Sequence, residues 1–130
     1  MPAKSPSSRA AGEHKYTLWQ FKDLITQGRP ALVQPDVTKC GGLTVALQIA
    51  ALVEAFNLTI VCHNTTPTVG TAAMLHYTAA RWPPARARQE FTGPRESLER
   101  FFSNRLEFKD GFLTVPQGPG LASNRSWRSC

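Results

Sequence analysis

Short apolar segments alternate with longer amphipathic ones along this chain, and the apolar segments run into polar loops. Three segments have the length and composition of buried strands, namely 31–33, 58–62 and the weaker 87–91. Two longer stretches, 44–56 and 69–80, carry apolar residues at helical spacing. Strands that alternate with helices are typical of parallel βα units, because a parallel pair needs a long crossover connection that a helix provides. The sequence therefore predicts an α/β fold with a parallel sheet.

Further elements are predicted on both sides of this pattern. Apolar residues at helical spacing from Leu18 predict a helix that ends at Gly28. A short helix is predicted at 98–102, after Pro94. The tail from Asp110 carries turn residues throughout, and we expect it to be an extended, wrapping segment.

The length of 130 residues corresponds to about one domain. Residues 1–10 are rich in serine, proline and basic residues and are predicted to form a flexible arm. Residues 11–121 are predicted to form the folded domain, and residues 122–130 an irregular polar tail.

The net charge of +6 raises nucleic acid as a possible partner. However, the arginines between residues 81 and 105 are interleaved with glutamates, and no run of basic residues alternates with stacking aromatics. We therefore expect a solvated basic surface without a nucleic-acid partner. Nucleic-acid binding remains an alternative that a salt-dependent gel shift would detect.

Two features bear on the location of the chain. No apolar run approaches the roughly 18–20 residues that a membrane-spanning helix needs. The first twelve residues also lack the apolar core of a secretory signal. We therefore expect a cytoplasmic protein with no membrane partner.

The cysteines are few and widely separated. Cys40, Cys62 and Cys130 form no CxxC pair, and their number is odd. This pattern argues against both a disulfide framework and a structural zinc site.

Polar side chains come just after the predicted strands. Asp36 and Lys39 follow the first strand, His63 and Asn64 follow the second, and Glu90 lies at the end of the third. Because the carboxyl ends of parallel strands meet at one edge of a sheet, we expect these residues to lie close together.

An aspartate and a histidine on adjacent strands can form a dyad in which the carboxylate fixes the imidazole tautomer and raises its basicity. The carboxylate of Glu13 is suited to a hard cation such as Mg²⁺. A metal and a base together can remove a proton from the carbon next to a carboxylate. Taken singly, however, Asp36 could cap a turn, His63 could be a structural histidine and Glu90 an ordinary strand-end charge.

Three stretches carry a resemblance to a known family: Ala11-Gly12-Glu13, Val33-Gln34-Pro35-Asp36 through Gly41-Gly42-Leu43-Thr44, and Cys62-His63-Asn64. They resemble the C-terminal part of the barrel domain of the enolase superfamily, in the mandelate racemase and muconate lactonizing enzyme family that includes acid-sugar dehydratases. The resemblance covers about residues 11–120 and implies the C-terminal half of a TIM (β/α)₈ barrel.

The resemblance also implies roles for individual residues. Glu13 matches the third of three carboxylate ligands to Mg²⁺. Asp36 and His63 match a dyad in which His63 is the base or, in dehydratases, often the acid that helps hydroxide to leave. Glu90 matches the acidic position that hydrogen-bonds the substrate carboxylate and stabilises the enolate.

Three further residues are expected at the substrate, which the resemblance implies is a small sugar acid, an aldonate or an aldarate. These residues are His14, Lys39 and Asn64, and Lys39 could also support the dyad aspartate. The choice between dehydration, racemisation and cycloisomerisation stays open.

The sequence also departs from the family pattern. No carboxylate precedes Glu13, and the family's Lys-x-Lys base has no counterpart, because Lys4 lies in the Ser/Pro-rich arm. We therefore expect weak metal binding and no activity of the chain alone. The alternative is a non-catalytic remnant or interaction protein that needs another chain to complete the barrel.

Overall fold

The computed structural model describes residues 9–65, 69–81, 88–92 and 106–122. The predicted helix at 98–102, most of the predicted arm and most of the polar tail lie outside the described residues. The chain divides into two compact units, Met1–His63 and Asn64–Cys130.

A three-stranded parallel sheet forms the centre of the N-terminal unit. Its strands are β1 (Ala10–Ala11), β2 (Leu32–Val33) and β3 (Thr59–Ile60), and β2 lies in the middle. Ala11 pairs with Val33, which in turn pairs with Ile60. The parallel α/β arrangement that the sequence predicts is therefore confirmed.

Helices connect these strands. Helix α1 (Leu18–Asp23) begins at Thr17, whose hydroxyl accepts a hydrogen bond from the backbone N–H of Gln20 at 3.3 Å. It continues as a π-helical turn, Leu24–Gly28, so the single helix predicted here changes its hydrogen-bonding pattern midway. The turn ends where Arg29 adopts a left-handed conformation with a φ of 46°.

Helix α2 (Gly42–Ala55) crosses over from β2 to β3. One face of α2 is buried, and its members lie at helical spacing: Ala46, Ile49, Ala50 and Val53. Leu43 and Leu47 lie on the exposed side. The buried stripe explains why α2 forms as the longest helix of this unit, since packing of an apolar face supplies most of a helix's stability.

The C-terminal unit contains helix α3 (Val69–Arg81), which agrees with the helix predicted at 69–80. Of the weaker strand predicted at 87–91, the structure describes residues 88–91, and within them it has a single bridge residue, Gln89, in place of a strand. Among the described residues, no helix is both long and apolar enough to cross a membrane.

A β-hairpin follows where the sequence predicts an extended tail. Strands β4 (Phe108–Lys109) and β5 (Phe112–Leu113) pair antiparallel around Asp110 and Gly111. These two residues have φ values of 51° and 84°, as the tight turns that favour Asp-Gly require. The prediction of an extended segment is therefore wrong at this point, because the Asp-Gly pair closes a tight turn between the two short strands.

We expect that Ile49→Ala lowers the free energy of unfolding by about 2–5 kcal/mol, because Ile49 is fully buried in α2 and its truncation leaves a cavity. Leu47→Ala on the exposed side of the same helix serves as the matched control and is expected to change it by less than about 1 kcal/mol. Urea unfolding followed by circular dichroism measures both values. Equal losses in the two variants would contradict this account of the core.

Candidate functional site

The parallel pairing of β2 and β3 continues beyond the ends of the two strands. The N–H of Val61 donates to the carbonyl of Val33 at 3.1 Å, and the N–H of His63 donates to that of Pro35 at 3.0 Å. This register brings His63 beside the residue after Pro35. As a result, Nδ1 of His63 lies 3.2 Å from Oδ2 of Asp36.

The Asp36 carboxylate is fully buried, and both of its oxygens have partners. Oδ1 accepts hydrogen bonds from the backbone N–H of Thr38 at 2.9 Å and from the Thr38 hydroxyl at 2.6 Å. Oδ2 faces the imidazole of His63 and also the ammonium of Lys39, whose Nζ lies 3.3 Å away.

These partners determine the charge of Asp36. Burial by itself raises the pKa of the carboxyl, but the hydrogen bonds from Thr38, His63 and Lys39 outweigh burial and hold the pKa of Asp36 below its usual value. Asp36 is therefore ionised at neutral pH and can accept a hydrogen bond from the imidazole of His63.

The pair has the chemistry of a general base. In the tautomer that donates from Nδ1 to Asp36, the Nε2 atom of His63 keeps its lone pair. The side chain of His63 is 14% exposed, so the imidazole is not completely buried. The structure thus brings together Asp36, Lys39 and His63, three of the residues singled out from the sequence.

Glu13 is separated from the end of β1 by one residue, and its position depends on this intervening Gly12. Gly12 has a φ of 132°, and a Cβ there would lie 3.0 Å from the Phe21 ring and 3.2 Å from the backbone of Gln34. The Gly12 N–H donates to Oε2 of Glu13 at 3.0 Å. Hydrogen bonds from the Glu13 and Gly12 backbone, together with His14 and His63, lower the pKa of Glu13 although partial burial opposes them.

Magnesium is the metal that the sequence pattern implies. Within the described part of the chain, no group of three histidine, cysteine, aspartate or glutamate side chains is placed to hold a metal ion. Glu13 is half-buried and directs one oxygen to the Gly12 N–H, while His14 beside it is exposed. The described residues therefore do not form a complete magnesium site by themselves.

The two cysteines in the described ranges are free thiols, and both are buried. Burial raises the pKa of the Cys40 thiol to about 11, and the charge of Asp36 adds to this effect. A thiol with such a pKa is protonated at neutral pH and is a poor nucleophile. Cys40 is consequently not a candidate catalytic group.

Glu90 and Asn64 lie together in the C-terminal unit. The backbone N–H of Asn64 donates to Oε2 of Glu90 at 3.0 Å, and its Nδ2 donates to the Glu90 carbonyl at 3.2 Å. The same Nδ2 lies 2.8 Å from the hydroxyl of Thr71, and the Asn64 side chain is nearly fully buried.

Two residues of these networks were not singled out from the sequence. Thr38 holds Asp36, and its signal is the Asp-x-Thr spacing, which places the Thr38 N–H within reach of the aspartate side chain. Thr71 contacts Asn64 from the first turn of α3. A single threonine inside a helical pattern carries no comparable signal.

Comparisons with known proteins point to one family. A sequence profile described as enolase C-terminal domain-like matches residues 4–125. A D-galactonate dehydratase from Ralstonia nicotianae is 30% identical over 118 residues, which cover 86% of this chain and 31% of that protein.

Solved structures of proteins in the same family also superpose on this chain. A mandelate racemase/muconate lactonizing enzyme from a Sulfitobacter species superposes with a TM-score of 0.80 at 28% identity, over 93% of this chain and 30% of that one. L-Talarate dehydratase from Polaromonas, complexed with Mg and L-glucarate, gives a TM-score of 0.76 at 30% identity, over 96% and 32%. The chain therefore spans about a third of the length of the relatives that it matches.

We expect that Thr38→Val raises the pKa of Asp36, because two hydrogen bonds from Thr38 stabilise the carboxylate and valine removes the hydroxyl. In the native protein the lowered pKa of Asp36 stabilises the folded state at pH values above 3.8, the usual pKa of an aspartate. This stabilisation is lost as the pH falls through the pKa of Asp36 in the folded state. The loss from pH 7 to pH 3 should therefore be smaller in Thr38→Val.

A rise of about one pKa unit corresponds to about 1.4 kcal/mol less stability at neutral pH. The titration of the Asp36 ¹³Cγ signal measures the pKa, and urea unfolding measures the stability. Thr38→Ser keeps the hydroxyl and is expected to titrate like the native protein. An unchanged Asp36 titration in Thr38→Val would show that the hydroxyl has no such effect.

Proposed function

Because the chain belongs to the enolase C-terminal domain-like family, we propose that its Asp36–His63 pair takes part in removing the proton next to the carboxylate of a sugar acid. The 3.2 Å contact between Nδ1 of His63 and Oδ2 of Asp36 supports this proposal most directly. The names of the relatives, D-galactonate dehydratase and L-talarate dehydratase among them, suggest the substrate class.

In the proposed reaction, the neutral His63 accepts the substrate proton at Nε2, and the Asp36 carboxylate stabilises the imidazolium that forms. The protonated ring can then deliver that proton to a departing hydroxide, which leaves as water and completes a dehydration. A racemisation would need a second proton donor on the opposite face of the enolate, because a proton returned by His63 itself restores the starting configuration.

The remaining roles are proposed from the family resemblance. Glu13 would contribute one carboxylate ligand to Mg²⁺, and because the described residues hold no complete set of ligands, no step is assigned to the metal. Glu90 binds the substrate carboxylate and stabilises the enolate. Lys39, which is 27% exposed, and the exposed His14 contact the substrate, whereas the contribution of the buried Asn64 is indirect, through Glu90.

A chimeric enzyme tests this proposal. The matching third of the Ralstonia D-galactonate dehydratase is replaced by this chain, and turnover of D-galactonate is measured in the presence of Mg²⁺. We expect turnover that His63→Asn or Asp36→Asn lowers by about 100-fold or more, the range of general base catalysis. His76→Asn on α3 is the matched histidine control and should change kcat less than about two-fold.

The isolated chain is measured in the same assay. We expect no turnover and a Tm that millimolar Mg²⁺ leaves unchanged, since the described residues contain no three-ligand metal cluster. A chimera that melts cooperatively but is inactive, or one that keeps full activity with His63→Asn, would contradict the proposed function.

The alternative function is a non-catalytic interaction protein, and exposed apolar side chains favour it. Trp19 on α1 is 73% exposed, and Phe108 and Phe112 of the hairpin are 58% and 74% exposed. Apolar side chains of this size are those that a surface covered by another chain would use, provided that they adjoin further apolar surface.

If a second chain covers these surfaces, the purified chain should self-associate or aggregate as its concentration rises. Light scattering then gives a mass above the 14.3 kDa of the monomer, and Trp19→Ser with Phe112→Ser lowers it. A monodisperse monomer that resists proteolysis would count against the interaction protein.

A further inference from the structure

Asn64 and Thr71 form a buried polar pair in the C-terminal unit. Thr71 is fully buried, and Asn64 is 1% exposed. The Thr71 hydroxyl lies 2.8 Å from Nδ2 of Asn64 and 3.2 Å from Oδ1, so it contacts both ends of the amide. Since buried polar groups are costly without partners, this contact fixes the rotamer of Asn64.

The amide of Asn64 has a second partner. Its Nδ2 also donates to the main-chain carbonyl of Glu90 at 3.2 Å, and this carbonyl receives another hydrogen bond, from Nε2 of Gln89 at 3.1 Å. The two N–H groups of the Asn64 side chain are thus used within the protein. They are not free to bind a substrate.

Asn64 also holds the carboxylate of Glu90. Its backbone N–H donates to Oε2 at 3.0 Å, so Asn64 contacts Glu90 both at the main chain and at the end of the side chain. A glutamate has several rotatable bonds, and contacts at both ends restrict the orientations that its carboxylate can adopt.

We propose that Asn64, oriented by the Thr71 hydroxyl, is a positioning residue for the Glu90 carboxylate. Helix α3 carries Thr71 in its first turn, so a regular element holds the pair in place. The importance of this arrangement for catalysis rests on the proposed role of Glu90 at the substrate. The geometric claim itself does not depend on that role.

Nuclear magnetic resonance on the full chain tests the proposal. An N–H that donates to a carboxylate loses a charge-assisted hydrogen bond when the carboxylate is protonated. We therefore expect the Asn64 amide proton to change its chemical shift with pH in a step that Glu90→Gln abolishes. If the chemical shift of the Asn64 amide proton in the native chain shows no step that Glu90→Gln abolishes, the proposal is wrong, whatever the Thr71 variants show.

Two variants of Thr71 test its part. Thr71→Val keeps the shape but lacks the hydroxyl, and we expect it to lower the amplitude of the Asn64 titration by about two-fold or more. Thr71→Ser keeps the hydroxyl and should retain the full amplitude. A merely structural threonine would lower the Tm in Thr71→Val and leave the amplitude unchanged, which would overturn the proposal.

If Thr71→Val does not fold, the side-chain amide protons of Asn64 are measured in the native chain and in Thr71→Ser. The proposal expects slow solvent exchange in both, and rapid exchange in the native chain would contradict it.

The chimeric enzyme separates this proposal from the proposed function. An inactive chimera with an intact Asn64 titration would overturn the function and leave the positioning of Glu90 standing. An active chimera in which the Asn64 amide signal does not respond to the protonation of Glu90 would support the proposed function and overturn the positioning of Glu90 by Asn64.

Discussion

The parallel register between β2 and β3 is the constraint on which the candidate site of the N-terminal unit depends. The hydrogen bonds from Val61 to Val33 and from His63 to Pro35 carry this register past the ends of both strands. A shift by one residue would turn each side chain to the opposite face of the sheet and separate His63 from Asp36. Backbone pairing therefore sets the 3.2 Å contact before any side chain contributes to it.

Burial of the ionised Asp36 carboxylate carries a desolvation penalty, and groups in the turn after β2 offset it. The N–H and hydroxyl of Thr38, the ammonium of Lys39 and the imidazole of His63 all face Asp36. Because these groups stabilise the ionised form more than burial destabilises it, the charge that the imidazole needs is present in the resting protein. Most of them come from within three residues of Asp36.

The sequence predicts the parts of this structure that repeat or alternate. Apolar periodicity located α2 and α3, and the rule that parallel strands share an edge anticipated the meeting of Asp36 and His63. The hairpin at Asp110-Gly111 has a signal, since Asp-Gly favours positive φ at both positions, but the prolines and glycines that follow suggest an extended, wrapping segment. The π-helical turn has no signal in the sequence, because apolar spacing of three to four residues does not distinguish it from an α-helical turn. The Thr71–Asn64 contact has none either, because a threonine in a helical pattern does not reveal which side chain it will bond.

The turn that holds Asp36 also contains a chemical reporter. The Cys40 N–H donates to the Asp36 carbonyl at 2.8 Å, and the thiol is fully buried beneath the turn. An alkylating reagent can reach that sulfur only when the turn opens, and the thiol's pKa of about 11 makes the closed form unreactive. The rate at which Cys40 is labelled consequently reports how often the segment that orients Asp36 opens locally, and it can be measured without any substrate.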